Sequence, residues 1–315
     1  MNELSSGNTS GSQHGDDPAR DVLVRELAEA RAEIARLNAE YDDIRMLYEG
    51  TIEHGEAVED QLAEANLALM KTQERLEAEL NDAARYVMSI LPEPRVETPA
   101  TDWLLVPSTE LGGDSFGYHA IDDDHMAFYL LDVCGHGVNA ALLSVTVINV
   151  LRASALPGAD FRDPAGVLSA LNNAFPMERQ NGMFFTIWYG VYRRSSGELR
   201  FATGGHPPAI HLRDDGAGGT AATQLITFGG MAIGAFPDVD YECGSMLMQP
   251  GDRLLILSDG TFEVDGVDGD MLSVDALAEF ARTRSSVPQD LLEWIRQYNI
   301  GSSLPDDFSL LRVLF

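Results

Sequence analysis

The chain has 315 residues, 45% of them hydrophobic and 8% aromatic, enough for one full globular domain with an extension or a second small domain, and too apolar for a wholly disordered chain. Acidic residues outnumber basic ones 50 to 21, for a formal charge of −29, the wrong sign for gripping nucleic acid phosphates or an anionic membrane surface. Two cysteines outside any CxxC pair exclude a disulfide framework and a thiolate metal site, and without a signal pattern or a membrane-length apolar run the chain is expected to be cytoplasmic.

Residues 1–21 begin with a stretch rich in Ser, Gly and Asn and are expected to be disordered. Residues 22–91 hold only two glycines, Gly50 and Gly55, and no proline, while Ala, Glu, Leu and Arg dominate. That is helix composition. Apolar positions step by four and three through Leu23, Leu27, Ala30, Ile34, Leu37, Tyr41, Ile44 and Tyr48, and resume at Val58, Leu62, Ala65, Leu69 and Leu76. A repeat of 3.5 residues makes a narrow seam suited to a partner helix, so this region reads as a dimeric coiled coil. The alternatives are a single helix folded on its own domain and an antiparallel hairpin bent at residues 50–55. Thr51 and Gly55 soften the seam, and beyond Leu76 the register moves by one residue to Leu80, Ala83, Val87 and Ile90. Pro92 and Pro94 end the helix.

From residue 92 to 315 the pattern changes to short apolar runs separated by Gly, Pro and Asp, predicting strands at 103–106, 116–121, 126–133, 183–192, 199–203, 209–212, 225–228 and 253–258, with a final strand after 307. Hairpin turns are predicted at 122–124 and 195–197. Helical patterns occupy 139–155, 164–175 and 274–298, the last broken at Val287-Pro288. Antiparallel strands with helices in separate blocks indicate an α+β layered domain rather than a βαβ nucleotide fold.

Three acidic sites share one design, an Asp beside glycine at the end of an apolar strand: Asp114, Asp132 and Asp259. A fourth, at Asp306 and Asp307, leads into the final strand. An ionised Asp at a buried strand end is costly unless paired, and none of these segments offers a lysine or arginine. Divalent cations resolve the cost, and an all-oxygen ligand set favours magnesium, manganese or calcium over zinc. The GGD at 112–114 lacks the acidic residue and phenylalanine of a cyclic-dinucleotide cyclase, and that reading is set aside.

The series GGD (112–114), DVCGHGVNAALL (132–143), FFT (184–186), GGHPP (204–208), SDG (258–260) and DDFSLL (306–311) resembles the SpoIIE/RsbU-like branch of the PPM metal-dependent serine/threonine phosphatases, in the family's order and across residues 92–315. The chain departs from the family pattern in having Cys134 where Ser is usual and Gly117 where a second acid is usual. The resemblance implies a layered αββα sandwich and two manganese or magnesium ions. It places Asp132 as the bridging and catalytic carboxylate. Asp114 and the Val133 backbone carbonyl serve one ion and Asp259 and Asp306 the other, with Asp307 an outer or weak extra ligand. His136 is either a proton donor to the leaving oxygen or a structural group of the glycine-rich turn, and His206 and Cys134 are read as structural. Ser258 has no adjacent histidine to act as base and is the poorer nucleophile.

The implied function is a protein serine/threonine phosphatase acting on a phosphoprotein, with a phosphorylated anti-sigma-factor antagonist of the STAS type as the family's usual substrate. The coiled coil would form a homodimer and receive an upstream regulatory protein. The rival is a non-catalytic scaffold of the same fold.

Overall fold

The computed structural model describes residues 18–216, 219–227, 230–266, 270–299, 301 and 304–315. Two compact units result, residues 1–75 and 76–315. The expectation for residues 1–21 falls mostly outside the described residues.

The first element, α1 (Pro18–Ile90), is one helix of 73 residues. It continues unbroken through Gly50 and Gly55, so no hairpin turn forms there. Within the first unit the predicted seam is uncovered: Leu23, Leu27, Ile34, Leu37, Tyr41, Ile44 and Tyr48 are each at least half exposed. In the second unit the helix behaves differently. Leu80, Ala84, Val87 and Ile90 become half-buried and Leu91 is buried, and this stripe lies against the globular domain. The register shift beyond Leu76 is therefore where the helix stops presenting an uncovered apolar stripe and packs on its own domain, with Ala84 rather than Ala83 on the inner face. The Arg152 guanidinium donates to the Ile90 carbonyl at 2.9 Å, satisfying one of the free carbonyls at the helix end.

The remaining elements follow as β1 (Ala100–Val106), β2 (Ser115–Ala120), β3 (His125–Val133), α2 (Val138–Arg152), α3 (Pro164–Ala174), β4 (Phe185–Arg193), β5 (Glu198–Gly204), β6 (Ala209–Asp214), β7 (Thr220–Leu225), β8 (Gly244–Leu247), β9 (Arg253–Leu257), α4 (Val274–Thr283), α5 (Pro288–Tyr298) and β10 (Phe308–Leu314). They build two five-stranded antiparallel sheets, ordered β1-β10-β9-β6-β7 and β2-β3-β4-β5-β8. Two elements differ from expectation. The strand predicted at 225–228 lies earlier, at β7, because its Thr and Ala residues give no apolar alternation; Phe228 lies outside the described residues. β8 is a short edge strand of half-exposed residues and carries no sequence signal.

Strand alternation explains the layers. Along β3, Met126, Phe128 and Leu130 face Trp188, Phe201, Leu254, Ile256, Leu311 and Val313 between the sheets. The alternate residues Tyr129, Leu131 and Val133 pack under α2 and α3, and on the other sheet Leu255, Leu257, Phe308 and Leu310 pack under α4 and α5. The result is the expected αββα sandwich.

Candidate active site at the end of the sandwich

The inner-facing series of each strand ends in polar residues at the same edge of the sandwich. On β3 the series 126, 128, 130 continues to Asp132, and on β2 the series 118, 116 continues back to Asp114. On β9 the series 254, 256 reaches Ser258, and on β10 the series 313, 311 reaches Ser309 and then Asp307. A period of two residues thus carries five polar groups to the mouth of an apolar core.

Asp114 is buried, only 4% exposed. Its Oδ2 has no hydrogen-bond partner among the described residues. Burial, followed by the nearby Asp132 charge, pushes its pKa well above the carboxylate range, opposed in part by the Ser309 and Ser258 hydroxyls. Asp132 is half-buried; burial first, then the charges of Asp259, Asp306 and Asp307, push it up to about 7. Asp259 is raised by burial, then by Asp306 and Glu263.

Asp132, Val133, Asp259 and Asp306 line one cleft of about 490 Å³ together with Ser108, Thr109, Cys134, His136, Phe184, Thr186 and Leu304, and no Lys or Arg among the described residues lines it. Carboxylates driven together without a counter-charge, one with an orphaned buried oxygen, are the donor set of a hard divalent cation. Among the described residues no three His, Cys, Asp or Glu side chains form a ready-made coordination shell.

Asp307 stands apart from this group in its bonding. Its Oδ1 accepts from the Ser108 amide at 2.7 Å and the Ser108 hydroxyl at 2.9 Å, and its Oδ2 accepts from the Gly113 amide at 2.8 Å. It is buried and fastens the turn that presents Asp114. Gly113 is required there, since a Cβ would lie 2.6 Å from the Val133 carbonyl oxygen. Ser258 is also committed: its hydroxyl donates to the Asp307 carbonyl and accepts from the Ser309 amide, both at 3.1 Å. Ser258 is therefore not a free nucleophile.

His136 is exposed at the rim of the cleft, whereas His206 is buried and its Nδ1 pairs with the Thr186 hydroxyl at 2.8 Å. Burial lowers His206 to about 3, so it is neutral. Cys134 Sγ accepts the Phe184 amide at 3.2 Å. Sequence reasoning missed Thr186, which sits opposite Asp132 in the β3 to β4 register, and Ser108, on which Asp307 closes. Thr186 closes the FFT block without a role of its own there, and Ser108 belongs to no motif; sheet register and a contact across 199 residues of chain expose them.

The model of the family described as Stage II sporulation protein E (SpoIIE) matches residues 122–315. The chain belongs to the SpoIIE family. It is 26% identical over 190 residues to the phosphoserine phosphatase RsbP of Bacillus subtilis, a match spanning 59% of this chain and 45% of that protein. It is 24% identical over 245 residues to the phosphoserine phosphatase RsbU of the same organism, spanning 76% and 70%. Among solved structures, the SiaA-PP2C domain of Pseudomonas aeruginosa superposes with a TM-score of 0.64 at 21% identity, over 78% of this chain and 98% of that one. The fold is thus that of the PP2C phosphatases. The chain spans less than half the length of RsbP. No helix among the described residues is long and apolar enough to cross a membrane.

Proposed function

We propose that this chain is a metal-dependent protein serine/threonine phosphatase. The observation that carries the reading is the cleft in which Asp132 meets the charges of Asp259 and Asp306 with no Lys or Arg among the described residues to balance them. Asp132, Asp259 and Asp306 at the cleft, the buried Asp114 near Asp132 and the Val133 carbonyl would hold two manganese or magnesium ions. Such ions supply positive charge to the phosphoryl oxygens and acidify the attacking water. The protein's own residues do the rest. Asp307 holds the Asp114 turn through Gly113, and His206 fixes Thr186 beside Asp132. His136, exposed at the rim with no side-chain hydrogen bond among the described residues, would protonate the seryl oxygen as the P–O bond breaks.

The family's named relatives support phosphoserine as the substrate, and we extend this to a phosphorylated anti-sigma-factor antagonist in a partner-switching pathway. The uncovered seam of α1 supports a homodimer and an upstream protein docking on the coil. Its input has a route to the site: Ala84, Val87 and Leu91 share a small pocket with Leu111, Gly112 and Asp114. The test is turnover of a phosphoserine peptide with and without manganese. Metal-dependent release of phosphate supports the enzyme, and tight binding without turnover supports a scaffold.

A further inference from the structure

Beside the catalytic cleft lies a second cavity of about 340 Å³, lined by Val106, Pro107, Ser108, Arg296, Asn299 and Leu304 among others. Ser108 and Leu304 line both spaces. The shared wall is fixed, because both the amide and the hydroxyl of Ser108 are held by Asp307, the same carboxylate that holds the Asp114 turn.

Among the described residues Arg296 is the one Lys or Arg lining either space. It sits in the last turn of α5, which buries Leu291, Leu292 and Ile295 and leaves Arg296 exposed. It makes no hydrogen bond or ion pair with any described residue. By contrast, Arg162, Arg193, Arg200, Arg213, Arg253 and Arg312 of the same unit each pair with an aspartate. In a chain of net charge −29 an acidic phosphoprotein approaches against repulsion. That repulsion is screened beyond roughly 8 to 10 Å in physiological salt, so groups at contact distance decide the outcome. A guanidinium facing a cavity matches a carboxylate by two parallel hydrogen bonds. An extended peptide advances about 3.3 Å per residue, and two cavities sharing a wall are therefore spanned by neighbouring residues of one strand.

We propose that this cavity is a subsite for an acidic side chain flanking the phosphoserine, with Arg296 as the specificity-determining residue. The inference rests on the phosphatase reading and names the substrate class it prefers: phosphoserine in an acidic sequence context.

The test compares the full chain and its variants, with manganese, on three probes: a phosphoserine peptide with flanking glutamates, its matched glutamine version, and p-nitrophenyl phosphate. The parent is expected to favour the glutamate peptide. Arg296→Glu should lower kcat/KM on that peptide by about tenfold, the scale of one charge-assisted contact. The change should enter through KM, leaving the other two probes within about twofold. Arg296→Lys should retain part of the preference. A parent that treats both peptides alike, or an Arg296→Glu variant that loses equally on all three probes, overturns the subsite while leaving the phosphatase reading intact. A parent inert toward all three overturns both.

Discussion

The Asp307 carboxylate accepts the Gly113 amide at 2.8 Å across 194 residues of chain. This bond joins the start of β10 to the turn before β2, and so ties the two sheets together at the edge where the carboxylates gather. One Asp of the adjacent pair therefore anchors while the other, Asp306, is exposed at the cleft.

The two aspartates should separate cleanly on substitution. Asp307→Asn turns an acceptor into an amide donor facing either Ser108 or Gly113, and should cost roughly 1.5 to 3 kcal/mol of stability, the range for hydrogen bonds to a charged group. Its activity should recover largely at high manganese. Asp306→Asn should leave the melting temperature of the metal-free protein unchanged or higher and remove activity at all manganese concentrations. Thermal melts with manganese titrations of both variants check the assignment.

The metal-free protein should lose stability as pH rises. Asp132 is raised in the folded state to about 7 from 3.8 unfolded, and Asp114 and Asp259 are raised too. Between those values the folded state holds more protons than the unfolded one, so unfolding free energy falls with pH and levels once the folded groups have ionised. Melting temperatures in chelator should decline between about pH 5 and pH 8. Saturating manganese should reverse the trend, because its ligands bind as carboxylates, and Asp132→Asn should flatten it.

The sequence is most legible where one physical signal dominates. β3 is a continuous apolar run ending in Asp132 and needs no tertiary information, and the glycines at 112 and 113 mark a close approach even before its partner is known. What stays hidden depends on register and distant contact. Thr186 matters because β4 pairs with β3 one way and not another, and Asp307 differs from Asp306 only through amides contributed by Ser108 and Gly113. Arg296 is one arginine among many until its place beside the cleft, with no partner among the described residues, is seen. β7 is small and polar, so hydrophobic alternation places it too late in the chain.

His136 should matter only when the leaving group needs a proton. His136→Asn should lower kcat on a phosphoserine peptide by about 100-fold, within the usual range for general acid catalysis. It should change p-nitrophenyl phosphate turnover little, because that phenolate leaves unaided. Equal losses on both substrates would return His136 to a structural role in its turn.

The full chain should sediment as a dimer through the uncovered seam of α1. Leu27→Glu together with Ile34→Glu places unpaired charge at seam positions and should yield monomers with an unchanged phosphatase domain. A parent that stays monomeric at tens of micromolar would remove the coiled coil.

The most direct measurement is manganese-dependent phosphate release from a phosphoserine peptide by the parent and by Asp132→Asn. Asp132 joins the charges of both sheets, so its substitution should cut turnover by about 100-fold or more while raising the melting temperature of the metal-free protein through relief of repulsion. A folded Asp132→Asn variant that keeps activity within about threefold of the parent would contradict the carboxylate cluster as the catalytic centre.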